Sequence, residues 1–320
     1  MKALVYLEHH EGDVLEASLG VLSKAATLGG DVAGVVVGSG VRALADGAGS
    51  FGASSVFVAD DERLASPLPQ PRVDVLARLV RHEGFDTVLI AQSVLGSDIA
   101  AGLAVRLGAG INWDLTDIAE EDNALHGTRP ALTDSISVAV GWTSDVRIAV
   151  FRSGAFDATP GDGTAEVWDA TVELEEHSVL AELVEATRAE SSGPSLEAAA
   201  VIVAGGRGLG SAERFDLVEG LAEVLGGAVA ATRAVVDTGW WPYSGQVGQT
   251  GKTVAPRLYV AVGISGAIQH KVGMQRSGTI VAINNDPRAP IFDYADLSVI
   301  GDLHDIVPRL TVLLRDRRGS

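Results

Sequence analysis

The stretch GISGAIQH, Gly263–His270, decides the fold. It is preceded by QVGQTGKTVAPRLYVA, Gln246–Ala261, and followed by KVGMQRSGTIVAIN, Lys271–Asn284. Leu258–Val262 and Thr279–Ile283 are compact β-rich runs, and between them lie a Gly-Ser turn and a Gln-His pair. Polar residues thus sit where the chain leaves a strand of a parallel sheet, the position at which open α/β sheets bind ligands.

The same texture extends through both halves of the chain. Strand-like runs at Ala3–Leu7, Val32–Val37, Ser55–Val58 and Thr87–Ala91 alternate with helix-period stretches at Val14–Leu28 and Val73–His82. A further helix is expected at Ser97–Leu107. Such alternation predicts a mostly parallel sheet with right-handed crossovers. Ser135–Val140, Val146–Phe151 and Ala165–Leu174 read as strands separated by turn residues, and are expected as antiparallel additions beside that sheet. AESSGPSLE, Ala189–Glu197, has linker composition. It divides a first α/β domain, 1–190, from a second, 198–320, with 191–197 between them.

In the second domain Ala199–Ala204 is a strand, and Ser211 is placed to cap a helix that turns Phe215, Val218, Ala222 and Leu225 inward. A last helix puts Leu303, Ile306, Val307, Leu310, Leu313 and Leu314 on one stripe. Pro308 fits it only if the helix begins near Asp305, because an early position has no partner for its N–H.

Composition narrows the function. The 320 residues are 47% hydrophobic, enough for one large core or two ordinary ones. A formal net charge of −18 argues against nucleic acid, whose phosphates need clustered Lys and Arg. The absence of cysteine removes disulfides, iron–sulfur clusters, Cys-zinc sites and a thiol nucleophile. The amino terminus MKALVYLEHHEGD breaks its short apolar run at Glu8, unlike a signal peptide, and no run has the roughly 20 apolar residues of a spanning helix. A soluble cytoplasmic protein without direct membrane insertion is the expectation.

Two glycine-rich segments invite nucleotide motifs and fail them on spacing. GGRGLG, Gly205–Gly210, has Ser211 where a dinucleotide fingerprint needs its third glycine. A tight strand-to-helix turn remains, and Arg207 inside it is a residue that packing rarely requires. In GQVGQTGKT the first glycine position of a P-loop holds Gln246. What remains is an amide- and hydroxyl-rich loop of Gln246, Gln249 and Thr250, suited to the edge of a heteroaromatic ring. Ser265 and Gly266 open a helix whose free N–H groups suit a pyrophosphate, although an ordinary N-cap explains a lone Ser-Gly as well. His270 alone reads as a structural histidine, and Gln269 and Arg233 bring it closer to a site. In the first domain His9 and His10 lack metal-ligand spacing and read as a solvated loop. Asp60-Asp61-Glu62 reads as a charged loop, and AQSVLGSD, Ala91–Asp98, as a Gly/Ser turn after a strand. No catalytic constellation is legible.

From Val201 to Leu310 the chain resembles the FAD-binding domain of electron-transfer flavoprotein alpha subunits. VAGGRG, ATRAVVDTG, QVGQTGK, APRLYVAVGISGAIQHKVGM, TIVAINNDPRAPIF and DLHDIVP match in order and spacing. The first half is similar more loosely, through ASLGVLSKA, AQSVLGSD, LAVRLGAG and VFRSGAF. It departs at Ala101-Gly102, where the family usually has Pro-Arg, and at PALTDSIS after Arg129.

The resemblance implies two α/β domains, each on a mostly parallel sheet with flanking helices. The first is nucleotide-hydrolase-like with a structural or subunit-interface role, and the second is a Rossmann-like, deoxyhypusine-synthase-like FAD domain. It implies non-covalent FAD held by Arg207, Thr232, Arg233, Gln246, Val247, Gly248, Gln249, Thr250, Gly263, Ser265, Gly266, Ala267, Ile268, Gln269, His270, Asn284, Asp302 and Leu303. Thr250 is expected near flavin N5, Arg233 against the ring and His270 near its N1–C2=O edge. Gly263–Ser265 would lie at the diphosphate, and Asn284 and Asp302 near the adenosine. A donor or cation at N1–C2=O, worth about 1.5–3 kcal/mol, would shift a one-electron potential by about 65–130 mV.

The implied protein is a heterodimeric electron carrier of fatty-acid β-oxidation rather than a substrate-converting enzyme. Its beta subunit would carry AMP, or a second FAD in bifurcating members. Electrons would come from acyl-CoA dehydrogenases or related flavoprotein dehydrogenases and pass to a quinone oxidoreductase or another acceptor. Trp240-Trp241 could cover the flavin, meet a partner or join the core. Two other readings stay open: an NAD-using transferase, for which Lys252 is the nearby lysine, and a scaffold subunit with a vestigial flavin site.

Overall fold

A computed structural model of the chain describes residues 1–10, 12–121, 124–132, 136–185, 196 and 199–318. The chain forms two compact units, Met1–Ala186 and Thr187–Ser320. Of the expected linker at 191–197 only Leu196 is among the described residues, buried in the core of the second unit.

The first unit is built on β1 (Lys2–Tyr6), β2 (Asp31–Gly38), β3 (Ser55–Asp60), β4 (Thr87–Ala91), β5 (Gly110–Leu115), β6 (Asp117–Glu121), β7 (Ala124–Ala131), β8 (Ile136–Val140), β9 (Arg147–Phe151) and β10 (Glu166–Asp169). Seven of them make one sheet, in the order β10-β3-β2-β1-β4-β9-β5, every pair parallel. Helices α1 (Glu16–Thr27), α2 (Pro69–Glu83) and α3 (Val94–Leu107) cover it, and each face carries its own apolar core.

Two of the expected antiparallel additions are corrected here. β9 lies inside the sheet between β4 and β5, parallel to both, because Ile148, Ala149, Val150 and Phe151 are all buried. A continuous apolar run suits a strand covered on both faces. β10 pairs parallel with β3, leaving β6, β7 and β8 as the antiparallel sheet. His9 and His10 are not a free loop: they pair with Val14 and Asp13, and His9 Nε2 lies 3.2 Å from the Val37 carbonyl oxygen. Asp60, expected in a charged loop, accepts the amides of Gly40, Val41 and Arg42.

The second unit contains β11 (Val201–Gly205), α4 (Phe215–Leu225), β12 (Ala228–Thr232), α5 (Arg233–Val236), β13 (Gln246–Val247), β14 (Leu258–Val262), α6 (Ile268–Lys271), β15 (Thr279–Asn284), β16 (Leu297–Ile300) and α7 (Leu303–Arg318). Its sheet runs β13-β12-β11-β14-β15-β16, parallel throughout. From β11 the chain builds outward to one side and then, at β14, returns to build on the other. The loops after β11 and β14 therefore diverge from adjacent strands, which is the geometry of a topological switch point.

Three local expectations change. Ser211 makes no side-chain cap bond, and α4 begins only at Phe215, after a short 3₁₀ turn. α6 is a single turn starting at Ile268 with Ala267 at its N-cap, so Ser265 and Gly266 precede that helix and do not open it. α7 starts at Leu303, which puts Pro308 inside it, and Leu313 is 63% exposed rather than on the inward stripe.

Backbone packing at the switch point is closer than any side chain allows. Gly206 N–H donates to the Val262 carbonyl at 2.9 Å and Gly208 N–H to that of Gly263 at 3.0 Å. A Cβ on Gly206 would collide with the Gly263 carbonyl oxygen. Gly220, inside α4, has open space at its Cβ position. Gly206→Ala is therefore expected to lower stability by well over about 1 kcal/mol, whereas Gly220→Ala is expected to raise it by up to about 1 kcal/mol. Denaturant unfolding of the two variants reads the contrast.

Candidate functional site

Four loops leave the carboxyl ends of β11, β12, β14 and β15 and enclose a crevice of about 940 Å³. That is within the size range of small-molecule and cofactor sites. Gly206, Arg207 and Gly208 come from the first loop; Thr232, Arg233, Asp237 and Trp240 from the second. The third supplies Gly263 to Ala267 with Gln269 and His270, and the fourth Asn284, Asp286, Ala289 and Pro290.

The floor is made by the third loop. Gly263 takes φ +63° and Gly266 φ +86°, left-handed conformations that a side chain disfavours. At Gly266 a Cβ would also strike the backbone of Ile291, whose amide donates to the Ser265 carbonyl at 3.0 Å. The amides of Ser265, Gly266 and Ala267 donate no hydrogen bond among the described residues. Three successive N–H groups without partners, in a crevice also lined by Arg207, form a donor set suited to phosphate oxygens.

Asn284 is used twice in holding the crevice: its Nδ2 donates to the Ile264 carbonyl at 2.8 Å and its Oδ1 accepts from the Asp286 amide at 2.9 Å. Arg233 is largely exposed, and its Nε donates to Asp237 Oδ2 at 3.3 Å, one helical turn away. The tryptophan pair divides its roles. Trp241 stacks on Phe215 with ring centroids 4.8 Å apart, whereas Trp240 lines the crevice.

His270 lines the crevice with both ring nitrogens bonded to the protein. It is 6% exposed, with Nδ1 3.0 Å from the Val247 carbonyl oxygen and Nε2 3.0 Å from the Tyr259 hydroxyl. Both nitrogens are engaged inside the protein, so the ring directs no free N–H at the crevice. Burial pushes its pKa down to about 4, against the smaller upward effect of the bond to Val247. In this structure the ring is neutral and each nitrogen has a protein partner.

Of the other expected residues, Arg207, Thr232, Arg233, Gly263, Ser265, Gly266, Ala267, Gln269 and Asn284 line the crevice. Gln246, Val247, Gly248, Gln249 and Thr250 form an adjoining loop, joined to α6 by the Gln249 amide, which donates to the Gln269 carbonyl at 2.7 Å. Ile268 points outward, and Lys252 is not among the lining residues. Asp302 caps α7 by accepting the His304 amide at 2.8 Å, and Leu303 is buried behind Gly263. Asp237 was not among the expected residues, although the Arg233–Asp237 spacing of one helical turn was a usable signal.

Fold and crevice together define a two-unit α/β protein with a crevice at the switch point of its second sheet whose amides and arginine suit an anionic ligand. Residues 3–179 match the family described as electron transfer flavoprotein domain, and residues 195–275 that described as electron transfer flavoprotein FAD-binding domain. The electron transfer flavoprotein subunit alpha of Mycobacterium leprae is 41% identical over 320 residues, covering 99% of each chain. That of Mycobacterium tuberculosis is 42% identical over 319 residues, again 99% of each, and that of Bacillus subtilis 36% over 316 residues, 97% of this chain and 96% of the relative. The chain belongs to the electron transfer flavoprotein family, as an alpha subunit. Its cofactor is a flavin. Among the described residues no helix is long and apolar enough to cross a membrane.

The depressed pKa of His270 makes stability depend on pH in a defined direction. Above about 6.5, its ordinary value, the ring is neutral both folded and unfolded. As pH falls from there towards 4, the unfolded chain gains a proton that the folded protein refuses, so stability is lost. His270→Asn should flatten that part of the profile by an amount on the order of 3 kcal/mol, read as the difference between variant and wild-type unfolding curves from pH 7 to 4.

Proposed function

We propose that the crevice holds FAD non-covalently and that the chain is the redox-active half of a heterodimer with an electron-transfer flavoprotein beta subunit. The observation that carries this reading is the run of amides at Ser265, Gly266 and Ala267 without partners among the described residues, in a crevice also lined by Arg207. These would take the diphosphate, with Asn284 keeping the third and fourth loops together. Thr232, Arg233 and Trp240 would receive the ring system, and Gln249 and Thr250 would approach it from the adjoining loop. When bound, the flavin supplies one-electron chemistry.

The residues act by binding and by fixed charge, and none needs to move a proton. Arg233 favours added negative charge nearby, and Asp237 offsets part of that effect. Because Arg233 is 64% exposed, solvent screening puts its effect at the lower end of the range for a charge-assisted bond. The beta subunit would carry AMP, or a second FAD if the pair bifurcates electrons. Donors would be acyl-CoA dehydrogenases or related flavoprotein dehydrogenases in fatty-acid β-oxidation. The acceptor would be an electron-transfer flavoprotein quinone oxidoreductase, with the carrier itself in the cytoplasm.

Spectroelectrochemical titration combined with a flavin-content assay separates the assigned roles. Arg233→Ala should lower the potential for the first electron by about 65 mV while FAD is retained. Arg207→Ala should lose FAD on gel filtration and leave the potential of the remaining holoprotein unchanged. Asp302→Ala should cost about 1 kcal/mol of stability as a lost helix cap, with little effect on either redox quantity. An Arg233→Ala protein with wild-type potential would remove Arg233 from the ring environment.

A further inference from the structure

The ring of His270 joins three parts of the second unit. Val247 O can only accept, so Nδ1 must carry the proton across the 3.0 Å contact between them. In a neutral imidazole Nε2 is then the acceptor, and the Tyr259 hydroxyl, also at 3.0 Å, must donate to it. Tyr259 is fully buried on β14, and that strand is paired on one side with β11 and on the other with β15. A continuous chain of hydrogen bonds thus runs from the centre of the sheet, through a phenol and an imidazole, to the first turn of the Gln246–Lys252 loop.

That loop starts from Val247, buried in the core and paired with Thr232, and then approaches α6 through its backbone. Gly248 is at φ +142°, and a Cβ on Gly273 would collide with the Gly248 amide. The backbones meet directly there, held by Val247 O on His270 and by the Gln249 amide on Gln269 O. If the His270 proton sat on Nε2 instead, the Nδ1 lone pair would face the Val247 carbonyl, and attraction would become repulsion.

We infer that Tyr259 is a positioning residue: its hydroxyl, donating to Nε2, anchors the ring whose Nδ1–H clamps Val247, and so steadies the loop that carries Gln249 and Thr250. The clamp stands on the geometry alone. Its consequence for the cofactor rests on the assignment of that loop to the flavin.

Hydrogen exchange of the flavin-loaded protein, produced with its beta subunit, tests both parts. Tyr259→Phe should speed exchange of the Gln249 amide about fivefold, the equilibrium ratio of one neutral hydrogen bond, and leave the β11 amides unchanged. His270→Asn, whose amide N–H can still reach Val247 O, should stay near wild type, whereas His270→Ala should exchange at least as fast as Tyr259→Phe. Adding Tyr259→Phe to His270→Asn should change nothing further, because Tyr259 acts only through the ring. An unchanged Gln249 amide in Tyr259→Phe, or the same acceleration on the His270→Asn background, overturns the inference. Faster exchange with an unchanged FAD dissociation rate supports the clamp and removes the loop from the flavin site.

Discussion

The second unit depends on one close approach of two backbones. Gly206 and Gly208 donate across the gap between adjacent parallel strands to the carbonyls of Val262 and Gly263. These bonds tie together the first turns of two loops that then diverge on opposite sides of the sheet. The amides that follow, at Ser265 to Ala267, have no hydrogen-bond partner among the described residues. The tie and the donor set of the crevice therefore lie within a few residues of each other on one loop. Side chains are excluded at the contact, which is why the glycines cluster there.

Around this tie the side chains divide into those that hold the crevice and those that face it. Asn284, Asp302, Leu303, Trp241 and His270 hold: each has its polar groups or its apolar surface committed inside the unit. Arg207, Arg233 and Trp240 face inward with functional groups to spare. A conformationally fixed shell behind a few cations suits a redox carrier.

Much of the fold was legible because its signals are local. Thr87–Ala91 and Leu258–Val262 are strands over the expected residues, since short apolar runs bounded by turns carry their own periodicity. The directions of β9 and β10 were not legible, because a strand's partner is chosen by the whole sheet and not by the run itself. β16 has Leu297 and Ile300 exposed, and it carried no alternating pattern to recognise. At the site, glycine turns and arginines announced themselves by being costly or unusual where they stand. The pairing of His270 with Tyr259 did not, because a contact between a helix turn and a strand eleven residues away leaves no spacing rule.

The most direct measurement is a comparison of amide hydrogen exchange in the apo and FAD-loaded forms of the protein with its beta subunit. FAD should protect the amides of Ser265, Gly266 and Ala267 more than any others in the second unit. Equal exchange at these three amides in the two forms, with protection confined to residues outside the crevice, would contradict the placement of the flavin at the switch point.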